Sequence, residues 1–230
     1  MRLLILGRGK TGSLVAEVAR ERRHNIETLS DVENANARAL TPEFLAPFDS
    51  VIDFTEPAAV IPNAEACIRA GKNMVVGTTG WYEQIPKLRE KVLAAKTGFL
   101  YGSNFSIGVN LFFEIAQIAS AALKFDYSGQ IFERHHVQKK DAPSGTAITL
   151  QKIIRGSSGK SKDDDVAIVS FREGDAVGMH EVVFNSANDR IYLCHDAKSR
   201  RGFAEGAVRG AEWLQGKPGF YEFRSIWREL

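Results

Sequence analysis

Cysteine is scarce in these 230 residues, with only Cys67 and Cys194. Two thiols are too few for a disulfide framework. Each sits beside apolar neighbours, Ala66-Cys67-Ile68 and Leu193-Cys194-His195, a setting for packing rather than for redox or metal chemistry. Long hydrophobic runs are missing too. No apolar stretch approaches the roughly 20 residues that span a bilayer. Met1-Arg2 leads at once into the apolar residues 3–6, without the longer apolar segment and small-residue cleavage site of a secretory signal. An excess of one charge is also lacking: 30 basic against 28 acidic residues leave a net +2, too little to argue for nucleic acid. The expectation is a chain of the reducing cytoplasm with no membrane and no nucleic-acid partner. What is present is ordinary for a globular protein, 44% hydrophobic and 25% charged, which excludes disorder and fibrous repeats. The length suits one large domain or two modest ones.

Residues 3–6 form a short continuous apolar run, the pattern of a strand buried on both faces of a parallel sheet. A glycine-rich turn follows, and residues 13–21 carry helical spacing through Leu14, Val15, Val18 and Ala19. Strands are predicted over 25–30, 51–55, 73–76 and 98–101. The intervening helices are 57–70, closed by Gly71, and 81–96. This alternation predicts an open parallel α/β sheet, whose ligands bind beyond the carboxyl ends of the strands. After residue 107 the pattern changes. A helix is predicted over 111–123, with β-runs at 130–136, 166–172, 181–186 and 190–195. The last two make a hairpin across Ala187-Asn188-Asp189. Residues 156–165 read as a polar loop, 203–214 as a helix and 221–223 as a short strand or turn.

Gly7-x-Gly9-x-x-Gly12 lies between the first strand and the first helix, the context in which this short motif holds a dinucleotide. The first glycine permits the tight turn, the second a close approach of backbone to pyrophosphate, the third close packing of helix on strand. Lys10 and Thr11 stand at the helix start, where free N–H groups favour phosphate, and Lys10 adds a cation. Asp31 lies about 20 residues on, at the end of the second strand, where a carboxylate accepts from ribose hydroxyls and repels a 2′-phosphate. NADH is therefore expected to serve at least as well as NADPH, with Lys10 and Arg8 allowing some use of NADPH.

Residues 133–146 concentrate the chemistry: two adjacent histidines, two adjacent lysines and a helix start capped by Asp141 or Ser144, with Pro143 in the first turn. The N–H groups of Ser144, Gly145 and Thr146 could receive a carboxylate, helped by the helix dipole. Histidine and a lysine beside another cation suit proton delivery to a reduced carbon skeleton. A metal site at His135-His136 finds no companion cysteine or acidic pair at ligand spacing, so none is expected.

Four ordered motifs carry a resemblance: Val51-Ile52-Asp53-Phe54-Thr55; Gly77-Thr78-Thr79-Gly80; Ser103-Asn104-Phe105-Ser106-Ile107-Gly108-Val109-Asn110; and Glu133-x-His135-His136-x-x-Lys139-x-Asp141-Ala142-Pro143-Ser144-Gly145-Thr146-Ala147. With them the chain resembles the 4-hydroxy-tetrahydrodipicolinate reductase (dihydrodipicolinate reductase) family of the bacterial diaminopimelate route to lysine. The resemblance implies a Rossmann-like dinucleotide domain over 1–106 and 201–230. It implies a second α+β domain with a mixed sheet over 107–200 for substrate and tetramerisation, and a homotetramer. It implies hydride transfer from NADH or NADPH to C4 of a cyclic imine dicarboxylate, with loss of its hydroxyl as water. His135 matches the family's general acid/base and Lys139 its proton donor. His136, Ser144, Gly145, Thr146 and Thr79 match positions holding the substrate carboxylates. Gly77-Thr78-Thr79 and Gly102-Ser103-Asn104-Phe105 match loops lining the nicotinamide.

Two departures stand out. The glycine loop is one residue shorter than the family form, which has an extra glycine before the basic residue. The stretch between Asp31 and Val51 is brief, with only 41–46 as a helix, so the adenosine side is expected to be open. Ser199-Arg200-Arg201 keeps a basic character near the second boundary and receives no catalytic role. A dehydrogenase of amino-acid semialdehydes would explain the glycine loop but not the 135–146 pattern. A dinucleotide-sensing regulator would call for a DNA-binding helix pair or a basic appendage, and neither is visible.

Overall fold

A computed structural model of the chain describes residues 1–158 and 166–230. In order the elements are β1 (Arg2–Leu6), α1 (Lys10–Glu21), β2 (Asn25–Leu29), α2 (Pro42–Leu45), β3 (Ser50–Asp53), α3 (Pro57–Arg69), β4 (Asn73–Val76), α4 (Ile85–Ala95), β5 (Gly98–Tyr101) and α5 (Ile107–Ala119). There follow β6 (Ser128–His135), α6 (Gly145–Ser158), β7 (Ala167–Arg172), β8 (Met179–Asn185), β9 (Arg190–Asp196), α7 (Arg201–Trp213), β10 (Gly219–Glu222) and α8 (Phe223–Ile226). They divide into two compact units, Met1–Ile107 with Arg200–Leu230, and Gly108–Ser199.

The first unit is built on a six-stranded, all-parallel sheet in the order β10-β5-β4-β3-β1-β2. Successive residues of β1 face opposite sides, and both sides are covered. Leu3 and Ile5 pack against Val15 and Val18 of α1 and Val208 of α7, while Leu4 and Leu6 pack with Val60 of α3 and Val92 of α4. That double burial is why the strand reads as an unbroken apolar run. Each such side chain contributes about 1.5–3 kcal/mol on burial. The chain leaves β1 toward β2 on one side and returns through β3 on the other, so the topological switch point lies between β1 and β3. In doubly wound sheets the crevice outside that point is where ligands bind.

The second unit holds a four-stranded mixed sheet, β7-β6-β8-β9, with β6–β7 parallel and the other pairs antiparallel. One face carries the core. Ile131, Val182 and Phe184 point to it and meet Val109, Phe112 and Phe113 of α5 and Leu150 and Ile154 of α6. The expected α/β class with a Rossmann-like domain and a second mixed-sheet domain is the observed one.

Several boundaries differ from the sequence reading, each for a local reason. Helix α1 starts at Lys10 rather than 13, because Gly9 in extended conformation caps it and Ser13 N–H reaches back to Gly9 O. The helix expected over 81–96 opens as a 3-10 turn, Tyr82–Gln84, and continues as α4 with Pro86 in its first turn. Helix α6 runs on through Ser158, taking in the first residues of the expected polar loop; that loop from 159 to 165 lies outside the described residues. Residues Ile107–Lys124, α5 and the 3-10 turn after it, make an 18-residue helical stretch of mean hydropathy 1.2, enough by length and composition to cross a bilayer. Val109, Phe112, Phe113, Ala116 and Leu123 from this stretch are nevertheless core residues of the second unit.

Candidate active site

The turn after β1 is shaped by glycines. Gly7 has φ +94, and a Cβ there would collide with the Phe54 carbonyl oxygen; one at Gly12 would collide with the carbonyl oxygen of Gly7 itself. Gly9 by contrast faces open space, leaving room for a ligand to approach the backbone. Lys10, Thr11 and Gly12 occupy the first turn of α1, whose N–H groups have no intrahelical acceptor. Across the cleft at the switch point stand Phe54, Thr55, Gly77, Thr78 and the exposed Thr79. A neighbouring hollow at the ends of β1 and β2 is lined by Gly7, Asp31, Asn34, Asn36 and Asn63. Asp31 stands exposed at its rim. Arg8 is already engaged: its guanidinium donates to Thr28 O at 2.8 Å and Thr28 Oγ1 at 3.1 Å and lies 3.1 Å from Glu33 Oε2.

Beneath the cleft lies a residue to which the sequence reading gave no role. Asp53, wholly buried at the end of β3, accepts from Thr55 N–H and Thr55 Oγ1 at 2.9 and 2.6 Å, from Thr78 Oγ1 at 2.9 Å and from Asn63 Nδ2 at 2.9 Å. Asn63 in turn accepts from Asn34 Nδ2 at 2.9 Å. Burial pushes the Asp53 carboxyl above its usual range, against the pull of these hydrogen bonds. The network ties the Thr78 loop to the wall of the Asp31 hollow. Thr78 therefore spends its hydroxyl inside the protein. Gly102 is buried against Phe105 and Phe223, and Phe105 is itself a core wedge, 4.6 Å from the Phe223 ring centroid. Asn104 Oδ1 accepts the Ser106 N–H at 2.9 Å, and Ser103 is exposed.

In the second unit the period-2 rule puts Ile131, Glu133 and His135 on the helix-covered face of β6. Register then brings His180 of β8 opposite Glu133 and Arg172 of β7 opposite His135. Glu133 is fully buried. Its Oε1 accepts Ser144 N–H at 3.0 Å and faces Arg172 Nη2 at 3.1 Å; its Oε2 is 3.0 Å from His135 Nδ1 and 3.8 Å from His180 Nε2. Burial would raise the Glu133 carboxyl, but the surrounding His135, Ser144, Ser170 and Arg172 outweigh it and hold the group far below the usual carboxylate range. His180 is pushed down to about 3 by burial and then by the neighbouring His135, so it is neutral at neutral pH.

Ser144 caps α6: its Oγ accepts the Ala147 N–H at 3.2 Å and lies 3.1 Å from His180 Nε2. Its own N–H and hydroxyl are therefore used within the unit. Gly145 and Thr146 form the first turn of α6, and a Cβ at Gly145 would meet open space. The strand ends at His135. His136 N–H donates to Ala176 O, and Lys139 N–H to His136 O, so Lys139 sits in a turn. Residues four apart share a side only within a regular element, and none joins His135 to Lys139. Lys139 Nζ instead pairs with Asp141 at 2.8 and 2.9 Å.

His135 and His136 are neighbours in sequence but not partners in the structure. The structure pairs His135 with Glu133 and His180, whose ligand atoms lie within 4.8 Å of one another. That donor set could hold an ion, but the Arg172 guanidinium against Glu133 already neutralises the carboxylate. Glu133 and His180 were missed as site residues. The available signal was a glutamate at an inward position of a half-buried strand.

Family models match both parts of the chain: residues 1–105 match dihydrodipicolinate reductase, N-terminus, and residues 108–226 match dihydrodipicolinate reductase, C-terminus. The chain is 37% identical to the 4-hydroxy-tetrahydrodipicolinate reductase of Christiangramia forsetii, covering 100% of this chain and 99% of that one. It is 35% identical to the enzyme of the same name from Neisseria meningitidis, over 79% of this chain and 73% of that one. Among solved structures, the dipicolinate-bound dihydrodipicolinate reductase from Paenisporosarcina sp. TG-14 is similar, with a TM-score of 0.78 at 25% identity, covering 98% of this chain and 99% of that one. A cleft beside a glycine turn at the switch point, a buried cluster of Glu133, His135 and His180, and these two family matches lead to one conclusion: the chain belongs to the dihydrodipicolinate reductase family of oxidoreductases.

Proposed function

We propose that this protein reduces 4-hydroxy-tetrahydrodipicolinate to tetrahydrodipicolinate in the diaminopimelate route to lysine, using a nicotinamide dinucleotide. The observation that carries the reading lies in the second unit, where Glu133 joins a proton-handling histidine to the N-terminus of a helix. A dicarboxylate that accepts hydride needs both a cationic, N–H-rich seat and a proton source, and this cluster offers both.

The glycine loop fits the cofactor, since two of its glycines are packed against backbone and Gly9 is open toward the cleft. Gly7, Gly9, Lys10, Thr11 and Gly12 would hold the pyrophosphate and Asp31 the ribose. Gly77, Thr78 and Thr79, with Gly102, Ser103 and Asn104, would line the nicotinamide, and Phe105, buried against Phe223, would brace that loop from behind. When bound, the dinucleotide supplies a hydride. His135 and Lys139 handle the proton, and His136, Gly145, Thr146 and Thr79 seat the carboxylates. Ser144 contributes by fixing the helix start, since its polar groups already have partners. Arg8, held by Thr28 and Glu33, is not poised for a 2′-phosphate beside Asp31, which supports use of NADH at least as well as NADPH.

The unit Met1–Ile107 with Arg200–Leu230 would serve as the dinucleotide domain and Gly108–Ser199 as the substrate domain. A homotetramer is supported by the sheet face opposite the second unit's core. It presents Phe132, Val169, Val183 and the 62%-exposed Tyr192. The test is NADH oxidation at 340 nm on adding aspartate semialdehyde, pyruvate and a dihydrodipicolinate synthase. Silence there, with NADH binding intact, would favour a non-catalytic dinucleotide sensor.

A further inference from the structure

Glu133 occupies a core position. It alternates with Ile131 and His135 toward the covered face of β6, and none of its side chain reaches solvent. A carboxylate is costly in such a place unless its lone pairs are met. Here groups from four parts of the unit surround it. Ser144 at the start of α6 and Arg172 on β7 meet Oε1, while His135 on β6 and His180 on β8 flank Oε2. One oxygen thus touches the proton-handling ring and the other touches the anion-binding helix start.

Building on the proposed function, we propose that Glu133 is a positioning residue for the reduction. It holds His135 with Nδ1–H toward the carboxylate, so that Nε2 can take up a proton from water and pass it to the substrate, and it fixes Ser144 so that this ring and the carboxylate seat keep one geometry.

The charge argument sets the tautomer. A bare Nδ1 lone pair 3.0 Å from an ionised carboxylate is repelled, whereas an N–H there is attracted. The contact is close but off-line, leaving both Glu133 Oε2 and His135 Nδ1 without an aligned hydrogen bond. Catalytic hydrogen bonds are commonly loose before substrate binds and tighten in the complex. On the other side of the ring, a Cβ at residue 178 would stand 3.0 Å from Nε2. The glycine there keeps that nitrogen approachable. His180, neutral and 3.1 Å from Ser144 Oγ, closes the ring of contacts without adding a competing charge.

Nitrogen-15 spectra of histidine-labelled wild-type protein provide a test that needs no variant. The His135 signals are expected to report Nδ1–H at neutral pH, and an Nε2–H tautomer would overturn the proposal. Glu133→Gln keeps the size and removes the charge. It is expected to lower kcat about 10²-fold, the low end for a misplaced general acid, with KM for NADH unchanged. Glu133→Asp, which keeps the charge at shorter reach, is expected to recover part of that loss. A folded Glu133→Gln protein with wild-type kcat and the wild-type tautomer would sink the idea. The tautomer is read without turnover, so a chain silent in the coupled assay but carrying Nδ1–H would count against the proposed reaction and not against the Glu133–His135 geometry.

Discussion

Arg172 reaches from β7 to the buried carboxylate of Glu133 on β6, its Nη2 3.1 Å from Oε1, while its backbone is paired in register with His135. The same guanidinium donates to the carbonyls of Lys139 and Asp141, so one side chain braces both the strand and the turn that carries Lys139. Removing one partner of a buried pair leaves an uncompensated charge, worth about 3–5 kcal/mol. Arg172→Met is expected to lose stability near the lower end of that range, because the arginine is partly exposed, as read from urea denaturation at pH 7. A loss below about 1 kcal/mol, the worth of a surface pair, would show that Glu133 does not depend on it.

Stability should also fall with acid in a way traceable to His180. Its folded value of about 3 lies below the ordinary 6.5, so the unfolded chain binds the proton more tightly. The contribution is present above pH 6.5 and is lost progressively as pH falls toward 3. Glu133, held below 4.5, adds stability above that value and loses it only at still lower pH. Between pH 6.5 and 5, urea midpoints of the wild type are therefore expected to fall more steeply than those of His180→Gln. Parallel curves would rule out His180 as the source.

His135→Ala and Lys139→Ala are each expected to lower kcat by about 10²–10⁴, the worth of a positioned acid. Near-wild-type kcat in both variants, in the coupled assay, would remove them from the mechanism. Lys139 pairs with Asp141 in the free protein and has to leave it to reach a substrate, so Asp141→Asn should not abolish activity. A complete loss in that variant would show that the ion pair itself is required.

Gly12→Ala introduces a methyl against the carbonyl oxygen of Gly7, where backbone cannot yield cheaply. Overpacking of this kind costs about 1–3 kcal/mol. The strain falls on the turn proposed to hold the pyrophosphate, so the variant should bind NADH more weakly as well as melt lower. Gly9→Ala faces open space in the free protein, and a lower Tm for it is not expected. Its NADH affinity is still expected to fall, since the methyl would occupy the path of the pyrophosphate. Titration of NADH by fluorescence and thermal melts separate the two cases, and unchanged affinity in both would dissociate the loop from the cofactor.

Cofactor choice is expected to follow Asp31. Steady-state kinetics should give NADH a kcat/KM at least equal to that of NADPH, and Asp31→Asn should shift the ratio toward NADPH by relieving repulsion of the 2′-phosphate. An NADPH preference of about a hundredfold in the wild type, about 2.7 kcal/mol, would show that Arg8 or Lys10 overrides the carboxylate.

Local pattern alone determined much of this protein. The apolar run of β1, the glycine loop with Asp31 beyond it, the β8–β9 hairpin and the ordered motif from Glu133 to Ala147 were all legible, because each depends on residues a few positions apart. The tertiary structure decided which groups meet. Glu133 faces His180 because β6 and β8 pair in that register across more than forty residues of chain, and Arg172 joins them because β7 runs parallel beside β6. It also placed Lys139 in a turn, committed the polar groups of Ser144 to neighbours, and buried Asp53 under the cofactor cleft. Spacing along the chain cannot encode these facts. A charge at an inward strand position is tolerated only when distant segments fold over it and satisfy it, and that compensation exists only in the packed protein.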